Sequence, residues 1–207
     1  RDRLPVPKFF MKHELIYIPL LGLACWGLDM PFMRRYSREF LLRNPHLRGK
    51  DIETTRHACE KFRHIPTTVI NFVEGTRFTE EKREATRSRY QHLMPPKAAG
   101  LAFTLAAMGE QFDSLINVTI SYPDNAEAPF KDFLMGRMKR IRVRIEELPV
   151  DGQLVGDYFN DKQFKRGFQA WLNQRWQEKD EVLEGWQQAQ APAALTARES
   201  ADASSGS

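Results

Sequence analysis

The stretch INFVEGTRFTEEK, from Ile70 to Lys82, joins an apolar run (Val69, Ile70, Phe72, Val73) to Glu74, Gly75, Thr76 and Arg77, where a strand gives way to a helix. These residue types suit an anion. Glycine leaves no Cβ between the backbone amides and an approaching ligand. The threonine hydroxyl can donate to a phosphate oxygen, and the arginine fork can bind phosphate through two parallel hydrogen bonds. Glu74 opposes this chemistry, since a carboxylate at close range repels a phosphate. It fits the site if it pairs with Arg77 or Arg35 and fixes the guanidinium so that its remaining donors point at the ligand. Two more cations stand beside apolar runs: MPFMRR closes on Arg34 and Arg35, and PPKAAG sets Lys97 and Gly100 at a helix start, where free N–H groups also favour anions. Any one of these is more often a solvated charge, and a lone EGTR is more often a strand-ending turn with a surface ion pair. Three cation sites, each at the edge of an apolar run, say more than a scattered basic surface.

The elements that must position these residues follow from hydrophobic pattern. TTVINFV from Thr67 is β-branched and apolar with hardly any alternation, which predicts a strand buried on both faces. Asp51 stands where an N-cap would, ahead of a helix from Ile52 to Arg63 with Cys59 and Phe62 on its apolar side. Thr79 to Gln91 is a charged stretch leading through MPPK to a helix over Ala98–Met108, and LINVTISYP is a second buried strand closed by Pro123. Arg140 to Leu148 alternates, with Ile141, Val143 and Ile145 on one face and Arg142, Arg144 and Glu146 on the other, as a half-exposed strand would. Phe164, Phe168, Trp171 and Leu172 recur at helical spacing in a C-terminal helix running to about Gln188. The fold class is α/β, with a mixed, largely parallel sheet flanked by helices.

Of the 207 residues, 42% are hydrophobic and 11% aromatic, which predicts one globular domain over residues 1–188 and a disordered Ala/Ser-rich tail over 189–207. The net charge of +4 favours acidic partners such as phosphates or anionic headgroups. No nucleic-acid-binding module is recognisable. Cys25 and Cys59 lack a CxxC and read as free buried thiols with no metal or redox role. The tract LIYIPLLGLACWGL, Leu15 to Leu28, has 14 residues and contains Pro19, Gly22 and Gly27. A bilayer-spanning helix needs about 20 apolar residues, so the tract reads as buried or interfacial. Arg137, Lys139, Arg140, Arg142 and Arg144 form a basic stripe whose default is solvation and whose next reading is a membrane surface. Packing is expected of Trp171, and interfacial contact of Trp176 and Trp186.

FVEGTRFTEEK, with PPKAAG some twenty residues on and INVTISYP beyond it, resembles the glycerophospholipid acyltransferase superfamily. It looks closest to the lysophosphatidic acid and lysocardiolipin acyltransferase-like branch, and within it to bacterial inner-membrane acyltransferases. The resemblance covers Phe9 to Trp186. Where many members carry Pro before the Glu, this chain has Val73. The family's F-x-x-R block corresponds to Phe32–Arg35, which implies Arg35 as the phosphate ligand and Arg34 as its exposed neighbour. Glu74, Gly75, Thr76 and Arg77 resemble the residues that bind the acceptor's glycerol phosphate. Val118 to Pro123 looks like the strand whose apolar side helps form the acyl channel, and Lys97 and Gly100 stand where the branch carries a basic residue and a glycine.

The resemblance implies a His-x-x-x-x-Asp block ahead of the arginine block, its His the general base for the acceptor hydroxyl and its Asp the residue that orients the imidazole. That block belongs before Phe9, and the chain, opening on Arg1, reads as an N-terminally truncated piece that binds more than it catalyses. His46 and Asp51 match the spacing but follow the arginine block, in a charged turn with Arg48 and Lys50, and are read as a decoy. The implied function is transfer of a fatty acyl group from acyl-CoA or acyl-carrier protein to the free hydroxyl of a lysophospholipid, 1-acylglycerol-3-phosphate foremost, without cofactor or metal. The implied location is the bacterial inner membrane, the domain facing the cytoplasm and the anchor in a preceding segment. The alternative is a non-catalytic lipid- or membrane-binding protein of the same fold.

Overall fold

The computed structural model describes residues 6–9, 11–30, 32–33, 43–44 and 50–189. In chain order the elements are β1 (Val6–Phe9), β2 (Met11–Lys12), α1 (Leu21–Gly27), β3 (Phe32–Met33), α2 (Lys50–Cys59), β4 (Thr67–Ile70), α3 (Glu80–Thr86), α4 (Ala98–Met108), β5 (Ser114–Ser121), α5 (Pro129–Leu134), β6 (Arg142–Pro149) and α6 (Lys162–Gln188). They divide into two compact units: Arg1–Gly75 with Lys97–Asp113 and Val150–Gln169, and Thr76–Pro96 with Ser114–Pro149 and Ala170–Ser207.

In the first unit the β-branched run Thr67–Ile70 forms β4 and pairs in parallel with β1, Lys8 opposite Val69. A second parallel pair joins β2 to β3. The core brings Cys59 and Phe62 against Ala107 and Met108 of α4, with Ile52, Val69 and Phe112 packed around them. Helix α4 matches the expected Ala98–Met108, and its buried residues lie on every side of the helix, as its almost wholly apolar sequence requires. The Arg56 guanidinium donates to the Ala106 carbonyl at 2.9 Å, satisfying one of the unpaired acceptors at the end of α4. Both cysteines are buried and, among the described residues, in no disulfide.

In the second unit β5 and β6 are antiparallel, Val118 opposite Ile145 and Ile120 opposite Val143. The C-terminal part of α6 sets Asn173, Trp176, Asp180 and Glu184 on one face. The buried Asp180 carboxylate accepts from the backbone N–H groups of Gln91 and His92, each at 2.8 Å. Trp176 Nε1 donates to the Met94 carbonyl at 3.1 Å. Tyr90 Oη reaches the Asn173 carbonyl at 3.3 Å. The irregular segment after α3 therefore takes its hydrogen bonds from a helix more than eighty positions away.

Five expectations are corrected. The described strands form three two-stranded sheets, two parallel and one antiparallel, so a single largely parallel sheet is not seen. β4 stops at Ile70 instead of continuing to Val73, and Phe72 is exposed, because the Gly75 N–H turns back to the Phe72 carbonyl at 3.0 Å. The strand of LINVTISYP is not buried: Ile116, Val118 and Ile120 stand exposed with Val143 and Ile145, an apolar face of a sheet only two strands wide. The β6 alternation is as read, but its aliphatic face is exposed while Arg142 and Glu146 are half-buried. Asp51 lies inside α2, which begins at Lys50, and not at the position ahead of it. Residues 190–207, most of the expected tail, lie outside the described chain.

Candidate anion-binding site

In the first unit, the turn after β4 carries the glycine of the EGTR block. Gly75 adopts φ +65°, the left-handed region that a Cβ penalises, and closes the turn begun at Phe72. The Lys97 N–H donates to the Val73 carbonyl at 2.8 Å, which sets the start of α4 against the strand end. The lysine side chain lies across the glycine: a Cβ at Gly75 would stand 3.2 Å from Lys97 Nζ and 3.3 Å from its Cδ. Glycine thus serves the backbone angle and the close approach of an ammonium group together. Lys97, the weaker candidate by sequence, becomes the cation the structure sets beside the EGTR glycine.

The second unit begins at Thr76. Lys82 Nζ donates to Thr76 Oγ1 at 3.1 Å and to the Arg77 carbonyl at 3.3 Å. Having accepted there, the Thr76 hydroxyl keeps its own proton for an anion oxygen. Lys82 is in the first turn of α3, whose Thr79 side chain caps the helix by accepting from the Lys82 N–H at 3.3 Å. The Arg77 guanidinium lies 5.9 Å from the Phe130 ring centroid, a cation–π contact that constrains the group without using its donors.

Sequence reading missed Lys82 because it lay inside a run taken only as charged. The signal was there: a lysine on the first turn after EGTR is in reach of the turn once Thr79 starts the helix. Phe130, 53 positions from Arg77 in sequence, carried no local signal. His92 meets Glu184 at 2.7 Å, a partner 92 positions away, and hydrogen bonds from His92 and then Gln188 hold the Glu184 carboxyl below its ordinary range. Trp176, expected at an interface, is buried with its indole N–H bonded. A cavity lined by Arg56, Glu60, Arg63 and Val155 shares no residue with EGTR. Arg35 and His46 lie outside the described residues.

The apolar tract settles against the buried alternative at many of its positions, since Tyr17, Leu20, Leu23, Trp26 and Leu28 are exposed around α1. Among the described residues no helix is long and apolar enough to cross a membrane.

Comparison with known proteins supports the acyltransferase superfamily, in its lysocardiolipin and 1-acylglycerol-3-phosphate branch. The chain is 26% identical over 136 residues to lysocardiolipin acyltransferase 1 of Mus musculus, covering 60% of this chain and 34% of that protein. It is 24% identical over 192 residues to human 1-acyl-sn-glycerol-3-phosphate acyltransferase delta, covering 86% of this chain and 44% of that one. Lysocardiolipin acyltransferase 1 of Gallus gallus is 24% identical over 191 residues, with 87% and 46% covered. The chain thus spans about a third to a half of the length of these curated relatives. No family model matches, and no solved structure matches.

Proposed function

We propose that this chain is part of an acyltransferase that moves a fatty acyl group from acyl-CoA or acyl-carrier protein to the free hydroxyl of a lysophospholipid, 1-acylglycerol-3-phosphate foremost. The reading is supported by the named activities of its relatives and carried by one observation, the Lys97 side chain lying across a left-handed Gly75 in the block that resembles the family's acceptor site. By the family resemblance, Arg35, Thr76, Arg77 and Lys97 are each candidates to bind the acceptor phosphate, and Glu74 to steady an arginine. Their part in catalysis is positioning: a fixed phosphate sets the hydroxyl where it attacks the thioester carbonyl, the C–S bond breaks, and the thiolate leaves with the proton taken from the hydroxyl. The protein works at a membrane surface, where the lysophospholipid acceptor resides, with the exposed apolar side chains around α1 as an interfacial contact.

The test is equilibrium binding of lysophosphatidic acid and of glycerol 3-phosphate to the purified chain, with Arg77→Met and Lys97→Met beside it. A charge-assisted hydrogen bond contributes about 1.5–3 kcal/mol, so each variant should weaken lysophosphatidic acid binding roughly 10- to 100-fold. Equal affinity for both ligands would point to a phosphate module unrelated to lipids. Thioester release that disappears in His46→Ala would assign the base to His46 and overturn its reading as a decoy.

A further inference from the structure

We propose that the segment from Pro129 to Ile141 docks the second unit onto an anionic phospholipid bilayer and carries Arg77 to the depth of the headgroups. On and just beyond α5, Phe130, Phe133, Leu134 and Met135 are 60%, 61%, 68% and 54% exposed. Side chains of this size favour leaving water, and four of them within six positions form a patch rather than a scatter. Lys131 stands among them, and Arg137, Lys139 and Arg140 follow within seven positions of Phe133. Asp132, the one acid from Pro129 to Ile141, accepts from Asn125 Nδ2 at 2.8 Å.

The segment is held in shape from within its own unit. Gly136 at φ +68° ends the helix, with the Arg137 N–H donating back to the Asp132 carbonyl at 2.7 Å. Asn125 bridges the two sides, donating to the Arg137 carbonyl at 3.3 Å and accepting from the Lys139 N–H at 3.1 Å. Asp124 takes the Arg140 fork through two bonds of 2.8 and 2.9 Å, which holds the Asp124 carboxyl below its ordinary range. An exposed apolar group is therefore presented on a braced loop, and little ordering remains to be done on docking.

Charge decides the occupant. A bilayer surface offers acyl chains to the phenylalanines and leucine, and phosphate headgroups to Lys131, Arg137 and Lys139 a few ångströms above them. The Phe130 ring under the Arg77 guanidinium makes the docking element and the proposed phosphate ligand one contiguous group. A lysophospholipid acceptor carries its phosphate at that same depth, so the inference rests on, and deepens, the proposed function.

The experiment is co-sedimentation of the purified chain with vesicles of phosphatidylcholine, with and without phosphatidylglycerol. Phe133→Ser with Leu134→Ser should lower partition onto both vesicles roughly tenfold or more. Lys131→Glu with Lys139→Glu should abolish the gain that phosphatidylglycerol brings. Wild-type partition by the apolar double variant overturns docking through α5 and leaves the patch to another partner, such as a protein. A gain from phosphatidylglycerol that survives the charge variant overturns the headgroup assignment. Soluble short-chain lysophosphatidic acid, titrated in parallel, separates the two readings: loss of vesicle binding in the variants stands as evidence for docking even if the wild type fails to bind that acceptor.

Discussion

Replacing Gly75 by alanine tests the candidate site most directly, because the residue carries two separable burdens. Its φ of +65° costs an L-residue with a Cβ roughly 1–2 kcal/mol. The new methyl would also stand 3.2 Å from Lys97 Nζ and 3.3 Å from Cδ, and the lysine end is flexible, so the ammonium moves aside. Gly75→Ala should therefore lose about 1–2 kcal/mol in urea denaturation and bind lysophosphatidic acid about 10- to 100-fold more weakly. Asparagine separates the two effects, since it tolerates the left-handed region better yet still has a Cβ. Gly75→Asn should recover stability without recovering affinity, and Lys97→Met should lose affinity while keeping stability. If Gly75→Ala binds like wild type while Lys97→Met does not, the glycine does not position the lysine and the reasoning fails.

Two other outcomes follow from the second unit. Asp180→Asn can accept from only one of the Gln91 and His92 amides and turns its own NH2 toward the other, so it should destabilise by roughly 2–4 kcal/mol. Hydrogen exchange should speed at one or both amides, and unchanged protection at both would sink the assignment. Glu184 titrates lower in the folded chain than in the unfolded one, held down chiefly by His92. Its stabilising share is thus complete above the ordinary glutamate range and disappears as the pH falls through the lowered value. Melting temperature measured against pH should fall less steeply in acid for Glu184→Gln, and parallel curves for the two proteins would refute the pairing.

Periodicity and spacing alone specified the parts of this protein whose signals are local. The limits of α4 follow from an apolar run between Lys97 and Gly109, the helix ending at Gln188 from repeating aromatic and aliphatic positions, and the two buried cysteines outside any disulfide from their wide spacing. EGTR was legible as a strand-ending turn because its glycine accepts the left-handed φ that closes it. The tertiary structure decided what touches what. It laid Lys97 over Gly75, brought Phe130 under Arg77 and His92 to Glu184, and buried Trp176, contacts that join positions 22 to 92 residues apart. It also left the aliphatic face of β5 in the open, where pattern alone had read a buried strand, together with the aliphatic face of β6 and the side chains of α5. Alternation tells which side chains share a face, but the free energy of burial depends on whether another layer covers that face, and only the folded chain supplies or withholds that layer.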